Sequence, residues 1–85
     1  MRVVSLMRNR DTSQTIGVVG GGQLAQMLAK AAKERNINLV VQTGSRTDPA
    51  VSHATRLVLS DIGDINGTRE LAGQCKCLTF ENEWI

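Results

Sequence analysis

The 85-residue chain predicts a small α/β domain built on a parallel sheet. Three observations predict it. A strand-forming segment, Thr15-Ile16-Gly17-Val18-Val19, runs directly into three glycines, Gly20-Gly21-Gly22. A long amphipathic helical pattern starts immediately after them, and the aliphatic run Leu39-Val40-Val41 follows that pattern. Strand, glycine turn, helix and continuous apolar strand in this order form the ligand-binding corner of a doubly wound domain.

The first strand is read at Thr15 to Val19 from its β-branched content and its glycine stop. In the helix that follows, Leu24, Met27, Leu28, Ala31 and Ala32 recur at i, i+3, i+4, i+7 and i+8, which predicts one buried face. Arg35 and Asn36 close it, a cation in the last turn and an asparagine that tolerates a left-handed cap. The second strand is expected at Asn38 to Gln42. Asp48-Pro49 then opens a short helical turn, with Asp48 as N-cap and Pro49 at the first helical position. His53, at the end of that turn, reads as a surface residue.

A third strand is expected at Arg56 to Ser60 and a loop at Asp61 to Gly67, with Asp64 and Asn66 as candidate caps. The next helix places Ile65, Leu71, Ala72 and Cys75 near its inner face, and Gly73 weakens it by about 1 kcal/mol relative to alanine. A fourth strand is expected at Lys76 to Phe80. The β-α-β-α-β-α-β order implies parallel strands joined by right-handed crossovers. The expected spatial order is 3-2-1-4, a Rossmann-like sheet whose switch point lies between the first and fourth strands. Ligands bind beyond the carboxyl ends of strands at such a point. That places the glycine turn beside Glu81-Asn82-Glu83.

Composition narrows the function classes. One small domain is the most this length allows, burying only about 60–65% of the surface its unfolded chain exposes. The leading residues 1–14 contain Arg2, Arg8 and Arg10 against Asp11 and read as a loosely attached extension. The remaining seven basic residues meet seven acidic ones, so the domain body is near neutral and no nucleic-acid partner is expected. No apolar stretch is long enough to span a membrane, so no membrane partner is expected. Cys75 and Cys77 stand as C-x-C without partner cysteines, which reads as reduced core residues and a cytoplasmic setting, with no metal site.

Two loops carry the chemistry. Gly20-Gly21-Gly22-Gln23-Leu24-Ala25 fits G-x-G-x-x-G/A, whose glycines let backbone N–H groups approach an anion at a helix N-terminus. A phosphate, a pyrophosphate or a substrate carboxylate suits such a seat. A dinucleotide demands an acidic residue at the end of the second strand, where Gln42 and Thr43 stand instead. An NADP-binding domain of a dehydrogenase or regulatory protein is the alternative, with Arg46 pairing with a 2′-phosphate. Glu81 and Glu83 place negative charge where a pyrophosphate would lie, which favours a substrate bearing an amine or hydroxyls.

With both loops in view, IGVVGGGQLAQML and QCKCLTFENEWI resemble the N-terminal domain of the N5-carboxyaminoimidazole ribonucleotide synthetase family, ATP-grasp ligases of purine biosynthesis. The resemblance runs from about Thr15 to Ile85. Ala25 stands where the family commonly has glycine, and TFENEW replaces the commoner T-Y-E-F-E-N. The resemblance implies a pre-ATP-grasp domain of a longer enzyme in which ATP phosphorylates bicarbonate and the carboxyphosphate delivers carbon dioxide to the amine of aminoimidazole ribonucleotide. It implies that ATP and Mg²⁺ are held by domains absent from these 85 residues, so that the fragment alone is inactive. It also implies a substrate wall made of Gly21, Gly22, Gln23 and Leu24 at the ribose-phosphate end, Glu81 facing the aminoimidazole and orienting its amine, and Glu83 either behind it or in the pocket wall. A sheet edge left open would allow a homodimer.

Overall fold

A computed structural model describes residues 14–81. The extension 1–14, except Gln14, therefore lies outside the described residues, as do Asn82, Glu83, Trp84 and Ile85.

Seven elements follow one another: β1 (Thr15–Val19), α1 (Gln23–Glu34), β2 (Asn38–Thr43), a 3₁₀ turn (Val51–His53), β3 (Arg56–Leu59), α2 (Ile65–Ala72) and β4 (Cys77–Phe80). The four strands form one sheet in the order β3-β2-β1-β4, and every pairing is parallel. The expected topology is the observed one. β1 is central, with Ile16 opposite Leu39 on one side and Cys77 on the other.

Two small cores cover the two faces of the sheet. One joins Val18, Leu39 and Val41 to Ala25, Ala29 and Ala32 of α1. The other joins Val19, Val40, Val58 and Leu78 to Leu71 and Cys75. Gly17 permits the second contact, because a Cβ there would lie 2.6 Å from Cys75 Sγ and 2.9 Å from Leu78 Cδ1. Close approach of the α2 end to the middle of β1 requires a residue without a side chain.

Several local expectations are corrected. α1 does not bury its Leu24-Met27-Leu28 stripe: those side chains are 50%, 66% and 38% exposed, while Ala25, Ala29 and Ala32 are buried. Small residues win because α1 leaves the sheet through a three-residue turn and lies close against it. α2 starts at Ile65, inside the stretch read as loop, and Ile65 itself is 69% exposed. Asp64 is its cap, accepting from Asn66 N–H at 3.0 Å. Asp48 is not an N-cap of the short turn, which begins at Val51 behind Ala50. β2 runs one residue further than expected, to Thr43. Asn36 does adopt the left-handed conformation, at φ 57°, and lets Ile37 N–H return to Ala32 C=O at 2.8 Å.

Candidate functional site

The site forms where β1 stops. Gly20 carries φ +116°, which an L side chain rarely adopts, while its N–H still bonds Gln42 C=O at 2.9 Å. The backbone then passes Gly21 and reaches Gly22, the N-cap of α1. Glycine has no side-chain oxygen to offer the open N–H groups of the first helical turn, so the cap comes from elsewhere.

It comes from Glu81, fifty-nine residues downstream of Gly22. Gly22 N–H donates to Glu81 Oε1 at 2.9 Å and Ala25 N–H donates to Glu81 Oε2 at 3.1 Å. The Glu81 backbone is fixed as well, its N–H bonding Val19 C=O at 3.0 Å. A carboxylate at a helix N-terminus gains both charge-assisted hydrogen bonds and the favourable end of the helix dipole. Cβ atoms at Gly20 and Gly22 would lie 2.8 Å and 2.9 Å from Glu81 oxygens, so the glycines make room for this carboxylate.

A second carboxylate flanks the turn. A Cβ on Gly21 would lie 2.8 Å from Asp48 Oδ2. The Thr43 hydroxyl donates to that same oxygen, and Ala50 N–H bonds Gly21 C=O at 3.1 Å, which ties the loop after β2 to the glycine turn. Gln23 and Leu24, in the first turn of α1, are exposed beside it. The sequence-predicted residues Gly21, Gly22, Gln23, Leu24 and Glu81 thus lie together, and Glu83 falls outside the described residues. Asp48 and Thr43 escaped sequence reasoning. The available signal was the glycine run itself, which leaves room for a side chain on each side.

The end of β2 has a different use from the one a dinucleotide needs. Gln42 is fully buried. Its Nε2 donates to the carbonyls of Asp61 and Asp64 at 2.9 and 3.4 Å, and its Oε1 accepts from the Thr68 hydroxyl at 2.9 Å. Gln42 therefore stitches β2 to the start of α2 and presents nothing to a ribose. Arg46 is exposed on the loop beyond.

Two titrating groups are displaced from their ordinary values. The Ser60 hydroxyl, 2.7 Å from Asp64, together with the N–H groups of Asn66 and Gly67, holds the Asp64 carboxyl below the usual aspartate value. Burial, with the neighbouring Cys77, pushes the Cys75 thiol up to about 11. Both cysteines are free thiols. Among the described residues no cluster of three or more His, Cys, Asp or Glu side chains is placed to hold a metal ion. Glu81 already engages the Gly22 and Ala25 N–H groups, two of the donors that the glycine turn would otherwise turn toward an anion. No helix among the described residues is long and apolar enough to cross a membrane.

A parallel 3-2-1-4 sheet with a glycine turn at its switch point defines a Rossmann-like α/β domain. Residues 13–85 match the family described as the ribonucleotide synthetase preATP-grasp domain, and the chain belongs to that family. It is 52% identical over 71 residues to N5-carboxyaminoimidazole ribonucleotide synthase of Synechocystis sp., covering 84% of this chain and 18% of that protein. The crystal structure of N5-carboxyaminoimidazole synthetase from Staphylococcus aureus complexed with ADP superposes with TM-score 0.80 at 31% identity, over 88% of this chain and 20% of that one. The Thermotoga maritima synthetase gives 0.79 at 26% identity, over 85% and 20%. The chain thus spans about a fifth of the length of the relatives it matches.

Proposed function

We propose that this chain is the N-terminal, substrate-binding domain of an ATP-dependent ligase that carboxylates aminoimidazole ribonucleotide with bicarbonate in purine biosynthesis. The observation that carries the reading is the seating of Glu81 on Gly22 and Ala25, which joins the acidic strand end to the glycine turn. A carboxylate offers about four acceptor positions, and two are used here. The remaining lone pairs suit an amine or hydroxyl donor, and the backbone fixes where they point. In this reading Glu81 orients the aminoimidazole amine, and Glu83 supports it from behind or forms part of the pocket wall. Gly21, Gly22, Gln23 and Leu24 form the wall at the ribose-phosphate end, and charged groups that grip the phosphate itself come from outside this chain.

ATP, with Mg²⁺, would activate bicarbonate as carboxyphosphate, and the amine would take up the carbon dioxide released. In this reading those groups belong to the ATP-grasp part of a longer protein. The setting is cytoplasmic, residues 1–14 are an extension of the 15–85 domain, and β4, the edge strand among the described residues, offers a contact for a homodimer. The buried Gln42 gives no support to the NADP alternative.

Two experiments test this. The 85-residue chain, mixed with ATP, Mg²⁺ and bicarbonate, should show no turnover; bicarbonate-dependent ATP hydrolysis would place the ATP site here instead. In a longer protein carrying this domain, Glu81→Ala should raise KM for aminoimidazole ribonucleotide or lower kcat, with ATP affinity little changed. Lost ATP binding with intact substrate kinetics would reverse the assignment.

A further inference from the structure

The opposite end of the sheet, at the amino ends of the strands, holds a concavity that the glycine-turn reading does not use. It encloses about 410 Å³ between the last turns of α1 and the segment that leads from the 3₁₀ turn into β3. Its polar lining is Lys33, Asn36, Asn38, Ser52, His53 and Thr55. Among the described residues no carboxylate lines it. Its size falls in the range of about 300–1,000 Å³ typical of small-molecule sites.

Charge decides what such a concavity takes. The carboxyl end of α1 contributes a partial negative charge of about half a unit, which opposes an anion. The turn after α1 mutes it: Ala32 C=O accepts from Arg35 and Ile37 N–H at 3.1 and 2.8 Å, and Lys33 C=O accepts from Asn36 N–H at 3.2 Å. Against that remainder stands the full positive charge of the Lys33 ammonium. His53 supplies at least one N–H in either protonation state, and the asparagine amides and Ser52 hydroxyl supply further donors. Among the described residues Lys33 makes no hydrogen bond to a carboxylate through its side chain. The position of the segment is fixed: Thr55 Oγ1 accepts from Leu39 N–H at 3.1 Å, Thr55 N–H bonds Leu39 C=O at 2.8 Å, and His53 N–H bonds Ala50 C=O at 3.1 Å.

We infer that this concavity is a second binding site, for the phosphate group of a small phosphate ester, with Lys33 and His53 as its principal contacts. The inference does not rest on the function proposed for the glycine turn. An oxyanion with several acceptors matches a lining of many donors and no acid, and the volume beyond the phosphate accommodates a sugar-sized body.

His53 is the single histidine of the chain, so its ring protons form an isolated reporter in a proton NMR spectrum. The whole chain is titrated with ribose 5-phosphate and, separately, with inorganic phosphate, at constant pH and ionic strength. The expected result is a saturable shift of the His53 resonances, with ribose 5-phosphate binding at least threefold more tightly than inorganic phosphate. Lys33→Ala should weaken the ester at least tenfold, and Lys33→Arg should restore most of the affinity. Lys33 is exposed, so neither variant threatens the fold. A non-saturating shift, or saturation undiminished in Lys33→Ala, would overturn the site. Equal affinity for inorganic phosphate would overturn its assignment to an ester.

Discussion

The Glu81 carboxylate bridges the N-cap and the third residue of α1, accepting from Gly22 N–H at 2.9 Å and from Ala25 N–H at 3.1 Å. One side chain thereby performs the task that a local capping residue performs in an ordinary helix, and it does so across the sheet switch point. Removing it should be felt in stability before any ligand is considered. Glu81→Ala should cost about 1.5–3 kcal/mol in urea denaturation, the range for hydrogen bonds to a charged group. Glu81→Gln keeps one acceptor and should recover part of the loss. An unchanged midpoint in Glu81→Ala would mean that the bridge contributes nothing.

The glycines should rank by what their missing Cβ would meet. Gly17→Ala meets Cys75 and Leu78 side chains inside a packed core, and Gly20→Ala adds a strained φ to a clash with Glu81. Each should destabilise by about 1–3 kcal/mol. Gly22→Ala meets only the far end of the Glu81 side chain. Its cost should shrink in a Glu81→Ala background, and a double-mutant cycle reads that coupling directly.

The two thiols should behave differently. Cys77 is partly exposed, beside an apolar groove lined by Ile16, Leu28 and Thr79, whereas Cys75 is fully buried. At pH 8 a disulfide reagent should modify one thiol per native chain, and the second only in denaturant. Because the Cys75 value is raised to about 11, its contribution to stability is complete below the ordinary thiol value of 9.0 and is lost as pH rises toward 11. Cys75→Ala should flatten that alkaline decline.

At the acid end the sign reverses. Asp64 is held below its ordinary value of 3.8, chiefly by the Ser60 hydroxyl, so its contribution is present above that value and lost as pH falls beneath it. Ser60→Ala should lower the thermal midpoint at neutral pH and shrink the difference between neutral and strongly acidic conditions. Thermal melts of the two proteins from pH 6 downward check this.

Substitution along α1 should separate its two apolar stripes. Met27→Gln falls on an exposed position and should change stability by no more than about 0.5 kcal/mol. Ala29→Leu forces bulk between helix and sheet and should cost about 1–3 kcal/mol.

That last contrast also explains what the sequence made legible. The strand and helix order, the parallel sheet and the meeting of the glycine turn with Glu81 follow from periodicity, turn chemistry and the handedness of crossovers. The buried face of α1 does not. Leu24, Met27, Leu28 and Ala31 make a valid helical stripe, and Ala25, Ala29 and Ala32 make an overlapping one. Hydrophobicity favours the larger residues, while the face that packs on the sheet carries the smaller ones. Gln42 was hidden for a related reason: a polar residue at a strand end looks available until tertiary contacts take up its donors and its acceptor. Asp48 was given a capping role because its own neighbour is proline. Its actual partners, Thr43 and the space beside Gly21, come from another turn of the chain.

Because β1 and β4 are adjacent and parallel, the described chain enters the sheet at one pole, at Gln14, and leaves it at the other, at Glu81. Gln14 thus lies at the pole of the Lys33–His53 concavity, and Glu81 lies beside the glycine turn. A surface-immobilised preparation tethered through its leading residues would present the glycine-turn pole to solution, and one tethered through its trailing residues would present the other. The two candidate sites can thus be assayed separately by choice of attachment point, without altering a residue of either.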